Sequence, residues 1–344
     1  MTSTVDVPRP TGARGSTVLV TGATGFLGAS LVRRLVSGGG LVRVLARSST
    51  KAEPLAQLGA DVVVGDITHR AAVSAAVDDA TVVYHLAGRL LVAGVPASEY
   101  RMTHVEGTKL LLDCCRSARS LERFVHCSTT GVLGVTGDRP ADENAPFRPT
   151  NVYEATKAEA ELLVRDAWRD GFPAVIARPG LVYGPGDRHL LGFFRSILGG
   201  RFRPIGRRTV WLHPIYIDDM TEALLRCGGH VAALGECFHL AGREPVPLAG
   251  LAEAISRAGG RRLPPGRIPL PAAQVAALLG DRLPPSLKRS APLTRSRLDF
   301  LTHSRVYDVT KAERVLDFEA ATDLSTGAAR TMEWYRQHGH LLAA

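Results

Sequence analysis

The chain has no cysteine pair spaced as CxxC, and its five cysteines (Cys114, Cys115, Cys127, Cys227 and Cys237) are an odd number. That pattern argues against a disulfide framework and offers no metal site, so reduced thiols are expected. No apolar run approaches the roughly 20 residues of a membrane span. The opening "MTSTVDVPRPTGARG" lacks the charged-then-apolar order of a signal peptide. A cytoplasmic protein with no membrane span is therefore expected, with residues 1–15 as a flexible tail. Lysine is scarce, so the net charge of +9 comes largely from arginine. The arginines are spread along the chain beside no recognisable DNA- or RNA-binding motif, which argues against a nucleic-acid partner. They are densest in "GRFRPIGRR", which holds Arg201, Arg203, Arg207 and Arg208. This stretch reads either as a solvated loop or as a clamp for an anionic substrate, because guanidinium forks suit phosphate oxygens. Arg208 is its candidate substrate contact.

What the chain does have is core. At 344 residues and 45% hydrophobic content it makes one large or two modest domains. Short β-branched runs ("STVLVTG", "LVRVLAR", "ADVVVGD", "ATVVYHLAG", "RFVHCSTTGV", "PAVIARPGLVYG") alternate with amphipathic stretches. One of these reads as a single long helix from about Ser98 to Ala118, and another as a helix from about Asn151. The alternation predicts an α/β fold, a Rossmann-type doubly wound parallel sheet over residues 16–186. Beyond residue 186 the order loosens and prolines gather. Residues 187–344 read as a smaller C-terminal substrate-binding lobe with segments returning to the core.

In "VTGATGFLGASLVRRL", glycines stand three apart where the first strand meets the first helix. Gly22 permits the tight turn, Gly25 lets the backbone approach a pyrophosphate, and Gly28 lets the helix sit close to the strand. Such a triplet is informative because it follows the first strand of a βαβ unit. The residue closing the second strand chooses the dinucleotide, since an acid accepts from a ribose 2′-OH and a cation accommodates a 2′-phosphate. Here it is Arg47, followed by Ser48, Ser49 and Lys51. NADP is favoured, with NAD as the alternative. Asp66, after the third strand, is placed to accept from the adenine amino group. Ala87 and Gly88, after the fourth, let the cofactor lie close to the backbone.

In "NVYEATKAEAELL", Tyr153 and Lys157 stand four apart at a helix start and share a face. A lysine ammonium beside a phenol is expected to lower its pKa, making the tyrosine a general acid or base near neutral pH.

The stretches "TGATGFLG", "YEATK" and "RPGLVYGPGD", in this order, resemble the extended short-chain dehydrogenases/reductases. That superfamily contains nucleotide-sugar epimerases and dehydratases and the 3β-hydroxysteroid dehydrogenases. The likeness extends through "HPIYIDDMTEALL" and the C-terminal "VYDVTKAERVLDFEAATDLSTGAARTMEWY". It implies hydride transfer between a carbinol carbon and the nicotinamide, with Tyr153 handling the hydroxyl proton and Lys157 also binding the nicotinamide ribose. It further implies cofactor contacts from Thr24, Phe26, Leu27, Ile67 and Pro179, and a homodimer. Counting back from Val132 places the third catalytic hydroxyl at Thr129, which would hold the substrate oxygen, with Ser128 and Thr130 as fallbacks. A competing reading has these hydroxyls merely cap the strand end.

Two departures stand out. His104 replaces an asparagine that supports a proton relay in the superfamily, and it reads equally as a water anchor or a packed helix residue. Leu181 stands where many nucleotide-sugar enzymes carry a substrate-binding asparagine. With the apolar "GRLLVAGVP", Leu181 favours a hydrophobic alcohol or ketone, and the arginine cluster favours a nucleotide sugar. The first expectation is an oxidoreductase resembling the 3β-hydroxysteroid dehydrogenases. The alternatives are an epimerase or dehydratase and a non-catalytic NADP-sensing regulator.

Overall fold

The structure, a computed structural model, describes residues 17–92, 94–283 and 293–341. The expected tail over residues 1–15 lies outside the described residues. The first half follows the β/α alternation: β1 (Thr17–Thr21), α1 (Phe26–Ser37), β2 (Leu41–Ala46), α2 (Ser49–Ala56), β3 (Asp61–Val64), α3 (Arg70–Val77) and β4 (Ala80–His85). After α4 (Ala97–Arg101) and α5 (Gly107–Ser117) come β5 (Arg123–Cys127), α6 (Val152–Arg169) and β6 (Ala174–Pro179). The later elements are β7 (Leu181–Tyr183), α7 (Leu191–Leu198), β8 (Trp211–Leu212), β9 (Pro214–Tyr216), α8 (Ile217–Gly229), β10 (Cys237–Leu240), β11 (Val246–Pro247), α9 (Leu248–Ala258), α10 (Leu270–Arg282), α11 (Arg295–Thr302), α12 (Thr310–Leu316) and α13 (Leu324–Gln337).

Seven strands form one parallel sheet in the order β10-β6-β5-β4-β1-β2-β3. Because helices cover both faces, the central strands are apolar throughout rather than alternating. Val18 and Val20 face a core built from α1, α2 and α8, whereas Leu19 between them faces one built from α3, α5 and α6. The sequence order reverses between β1 and β4, which opens a crevice at their C-terminal ends where ligands bind in such sheets. A third cluster, with Phe194, Leu251, Ile255 and Met332, makes the smaller lobe. Phe26 and Leu27 of the first turn of α1 pack against it, so the lobe lies beside the glycine-rich turn.

The stretch expected as one helix from Ser98 to Ala118 is interrupted by a π turn over Met102–Glu106. Such wide turns accommodate an extra residue inside a helix. Here the turn aims the His104 ring at the loop after β4, while its carbonyl accepts from the Thr108 hydroxyl.

Candidate active site

The glycine-rich turn is determined by backbone crowding. Gly22 has φ +71°, and a Cβ there would lie 2.6 Å from the carbonyl carbon of Leu86 at the end of β4. A Cβ on Gly28 would lie 2.2 Å from the Gly22 carbonyl oxygen. Gly25 caps α1 in an extended conformation and donates its N–H to Gly22 O. With no side chain intruding, the turn and the helix N-terminus form a cradle that fits a dinucleotide's pyrophosphate. Ala87 donates its N–H to Thr21 Oγ1, which fastens the β4 loop against the end of β1.

Asp66 accepts from the Thr68 N–H and hydroxyl, both through Oδ1. Burial opposes ionisation, but the Thr68 bonds and nearby Arg47 hold the carboxyl below its usual range. Its second oxygen accepts no hydrogen bond among the described residues. Ile67 is buried beneath Gly107. Arg47 is exposed just past β2. Ser48 is taken up as the N-cap of α2, accepting from the Lys51 N–H.

The second half of the site is organised by the start of α6. Asn151 caps the helix by accepting from the Glu154 N–H, and the Glu154 carboxylate accepts from both the N–H and hydroxyl of Thr150. This reciprocal cap sets the first turn, which carries Tyr153. One turn on, buried Lys157 donates to Cys127 O at 2.6 Å. The Thr129 side chain lies close enough to the Tyr153 phenol to favour its ionised form. Thr129 also caps the short helical turn after β5, accepting from Gly131 N–H. Ser128 is spent on buried Glu161, and Thr130 on Pro179 O. Of the three candidate hydroxyls, Thr129 is the one beside Tyr153.

The acidity of Tyr153 departs from expectation. Burial pushes its phenol well above the ordinary tyrosine value, and the nearby Thr129 hydroxyl only partly offsets that. Lys157 does not reverse it, since its ammonium is directed at the Cys127 carbonyl, and burial lowers its own pKa. In this state the tyrosine is held protonated.

A model of the NAD dependent epimerase/dehydratase family matches residues 18–240. The chain belongs to this family. It is 32% identical to a 4-hydroxy-2-methyl-3-oxo-4-farnesyl-3,4-dihydroquinoline-1-oxide ketoreductase of Stigmatella aurantiaca, with 87% of this chain and 90% of the relative covered. It is 29% identical to a 3 beta-hydroxysteroid dehydrogenase/Delta 5-->4-isomerase of Mycobacterium tuberculosis, over 92% of this chain and 90% of that protein. The solved structure of gox2253 superposes with a TM-score of 0.79 at 26% identity, covering 95% of this chain and 99% of that one. The chain is thus an NAD(P)-dependent enzyme of the extended short-chain dehydrogenase/reductase type.

Within this family member, both ring nitrogens of His104 are committed. Nε2 accepts from the Arg89 N–H at 2.9 Å, so the neutral ring carries its proton on Nδ1 and donates to Thr156 Oγ1 at 2.8 Å. Burial and the Lys157 charge push it down to about 3, which keeps it neutral. Its ring lies edge-on to Tyr153 with centroids 5.6 Å apart. His104 is therefore a packed strut between the Gly88–Arg89 loop and α6. Tyr100 grips the same loop, accepting from the Val92 N–H at 2.8 Å.

Sequence reasoning missed the polar network beneath the site. Glu161, one turn beyond Lys157 and on its face, pairs with Arg178 of β6 at 2.7 Å, both side chains fully buried. An arginine inside the apolar run "AVIARP" was the available signal. Also missed was a chain in which Thr21 and Thr108 hold the two nitrogens of buried His85 at 2.8 and 2.9 Å. Two other predicted residues stand apart. Leu181 is half-buried against the lobe's cluster. Arg208 is exposed on the lobe's loop and makes no hydrogen bond or ion pair among the described residues.

Proposed function

We propose that the protein is an NADP-preferring oxidoreductase that interconverts a hydrophobic secondary alcohol and its ketone. The observation that carries this reading is the apolar loop beside Tyr153. It is tied down by His104 and Tyr100, yet it leaves Leu90 56% and Val92 38% exposed. Large apolar groups held in water on a fixed loop serve a ligand better than a core. Half-buried Leu181 adds a second apolar element, and the relatives' names, a farnesylated ketone reductase and a hydroxysteroid dehydrogenase, support the same substrate class.

In the reduction direction the protonated Tyr153 donates its phenolic proton to the carbonyl oxygen, which the Thr129 hydroxyl holds. Buried Lys157 would supply positive charge to the tyrosinate that results and would bind the nicotinamide ribose. NADP(H), when bound, would supply or accept the hydride. Gly22, Thr24, Gly25, Phe26, Leu27 and Gly28 would hold its pyrophosphate side, Asp66 and Ile67 its adenine, Ala87 and Pro179 its nicotinamide half. The lobe from residue 187 onward covers the substrate, with Gly88 and Leu181 at its edge. The reading includes a cytoplasmic homodimer, which light scattering tests.

A screen of secondary alcohols, ketones and nucleotide sugars with the purified protein tests the substrate class. Turnover of hydrophobic ketones with NADPH is expected. Leu181→Asn should then raise KM about fivefold to a hundredfold, because an unpaired amide in an apolar wall costs about 1 to 3 kcal/mol. Alanine at Arg201, Arg203, Arg207 or Arg208 should change KM by a few-fold at most. A large KM rise from one of these arginines, with Leu181→Asn harmless, replaces this reading with the nucleotide-sugar one.

Arg47 gains a charge-assisted bond only with a 2′-phosphate. NADP(H) should therefore bind about tenfold to a hundredfold more tightly than NAD(H), and Arg47→Ala should erase most of that difference. Calorimetric titration showing tighter NAD(H) binding by the unmodified protein rules it out.

A further inference from the structure

Helix α10 is inside out. At about 100° per residue, Ala273, Ala277 and Gly280 share one side of it, and these are its buried residues. Val275 and Leu279 point away from that side and are exposed at 59% and 58%; Ala272 and Ala276 are exposed beside them, and Leu283 is exposed just past the end of the helix. An ordinary surface helix buries its bulky apolar residues and shows polar ones. This one packs its small residues inward, with α11 as its neighbour. Its bulky residues are turned to water.

The arginines that the active site does not use lie at the head of this helix. Ile205 and Ile268 form a bridge, with Gly206 N–H donating to Ile268 O and Ile268 N–H to Pro204 O, each at 2.9 Å. This ties "GRFRPIGRR" to the segment entering α10, where Arg267 donates to Gly206 O at 3.1 Å. Arg261 and Arg262 are exposed on that second segment. No Asp or Glu occurs in residues 188–217 or 254–280. Among the described residues none of these arginines has an acidic partner. An uncompensated cationic patch therefore adjoins an exposed apolar stripe.

We propose that this face docks on an anionic lipid bilayer, with Val275 and Leu279 entering the acyl boundary and the arginines meeting phosphate headgroups. Stable attachment to a membrane surface takes two signals, apolar insertion and positive charge, and both are present side by side. Nucleic acid would use the arginines but leaves the apolar stripe without a role. A second copy would cover the stripe but would bring two cationic patches together. The inference does not rest on the proposed substrate class, because its readout is binding rather than turnover.

The test is co-sedimentation of the full chain with vesicles of phosphatidylcholine, with and without phosphatidylglycerol. Binding is expected to the anionic vesicles, weak on phosphatidylcholine alone, and reduced by added salt. The pair Val275→Glu and Leu279→Glu should lower partitioning by about tenfold or more. The pair Arg207→Glu and Arg262→Glu should do the same. The glutamate pair on α10 should retain NADPH binding, which shows that it is folded, and its turnover of a water-soluble ketone should match the unmodified protein. The proposal is overturned if the unmodified protein stays in the supernatant with anionic vesicles, or if either pair partitions as it does. Loss of self-association in the α10 pair, without vesicle binding by the unmodified protein, overturns it in favour of an interface between copies. Retention of DNA fragments without vesicle binding overturns it in favour of a nucleic-acid surface.

Discussion

Tyr153→Phe should cut turnover by about a hundredfold to ten-thousandfold, the usual contribution of a positioned acid or base, while NADP(H) affinity changes by a few-fold at most. The phenylalanine ring keeps the edge-on contact with His104 and loses only the phenolic oxygen near Thr129. Lys157→Met should behave differently. It removes the bond to Cys127 O and the ammonium one helical turn from the tyrosine, so both turnover and cofactor affinity should fall. Stopped-flow reduction of a ketone found in the screen, paired with fluorescence titration of NADPH, separates the two effects. Undiminished turnover in the phenylalanine variant would remove Tyr153 from the chemistry and give the proton transfer to another group.

The second large effect concerns stability. Glu161→Gln should lower unfolding free energy by about 3 to 5 kcal/mol, the cost of leaving a buried charge without its partner. Arg178 is fully buried, donates to Glu161 through Nε and Nη2, and sends Nη1 to Glu143 O. Gln offers one acceptor and no charge. The double replacement Glu161→Leu with Arg178→Met should recover much of the loss, because both charges then leave the interior together. Burial opposes ionisation of Glu161, yet its bonds with Arg178 hold its folded pKa below the ordinary carboxylate value. Its contribution is therefore complete above the unfolded value and disappears as pH falls through the lowered folded one. Chemical denaturation at neutral and acidic pH measures this. A loss below about 1 kcal/mol at neutral pH would mean that water reaches Arg178 in solution.

Some of this molecule was written locally. The β/α alternation was legible because strands buried on both faces are apolar without interruption, and a helix must cover each crossing between parallel strands. The glycine-rich turn was legible because its three glycines fall within seven residues at the junction of the first strand and the first helix. Tyr153 and Lys157 were legible because helical spacing alone puts them on one face. Where contacts run between distant segments, the sequence was ambiguous. Counting back from Val132 pointed to Thr129 but left Ser128 and Thr130 as fallbacks, and the approach of Glu161 from α6 and Pro179 from β6 occupies those two. His104 read as a water anchor or a packing residue until the π turn brought it within reach of both Arg89 and Thr156.

The sequence by itself determined the doubly wound sheet, the dinucleotide cradle and the Tyr-Lys pair, because each depends on residues within a turn or two of one another. Only the tertiary structure decided which hydroxyl faces Tyr153 and that burial, not Lys157, governs the phenol's acidity. It also decided that Glu161 and Arg178 meet in the interior and that α10 turns its bulky residues outward. These four depend on dielectric environment and on partners far away in the chain, and neither is encoded in local spacing.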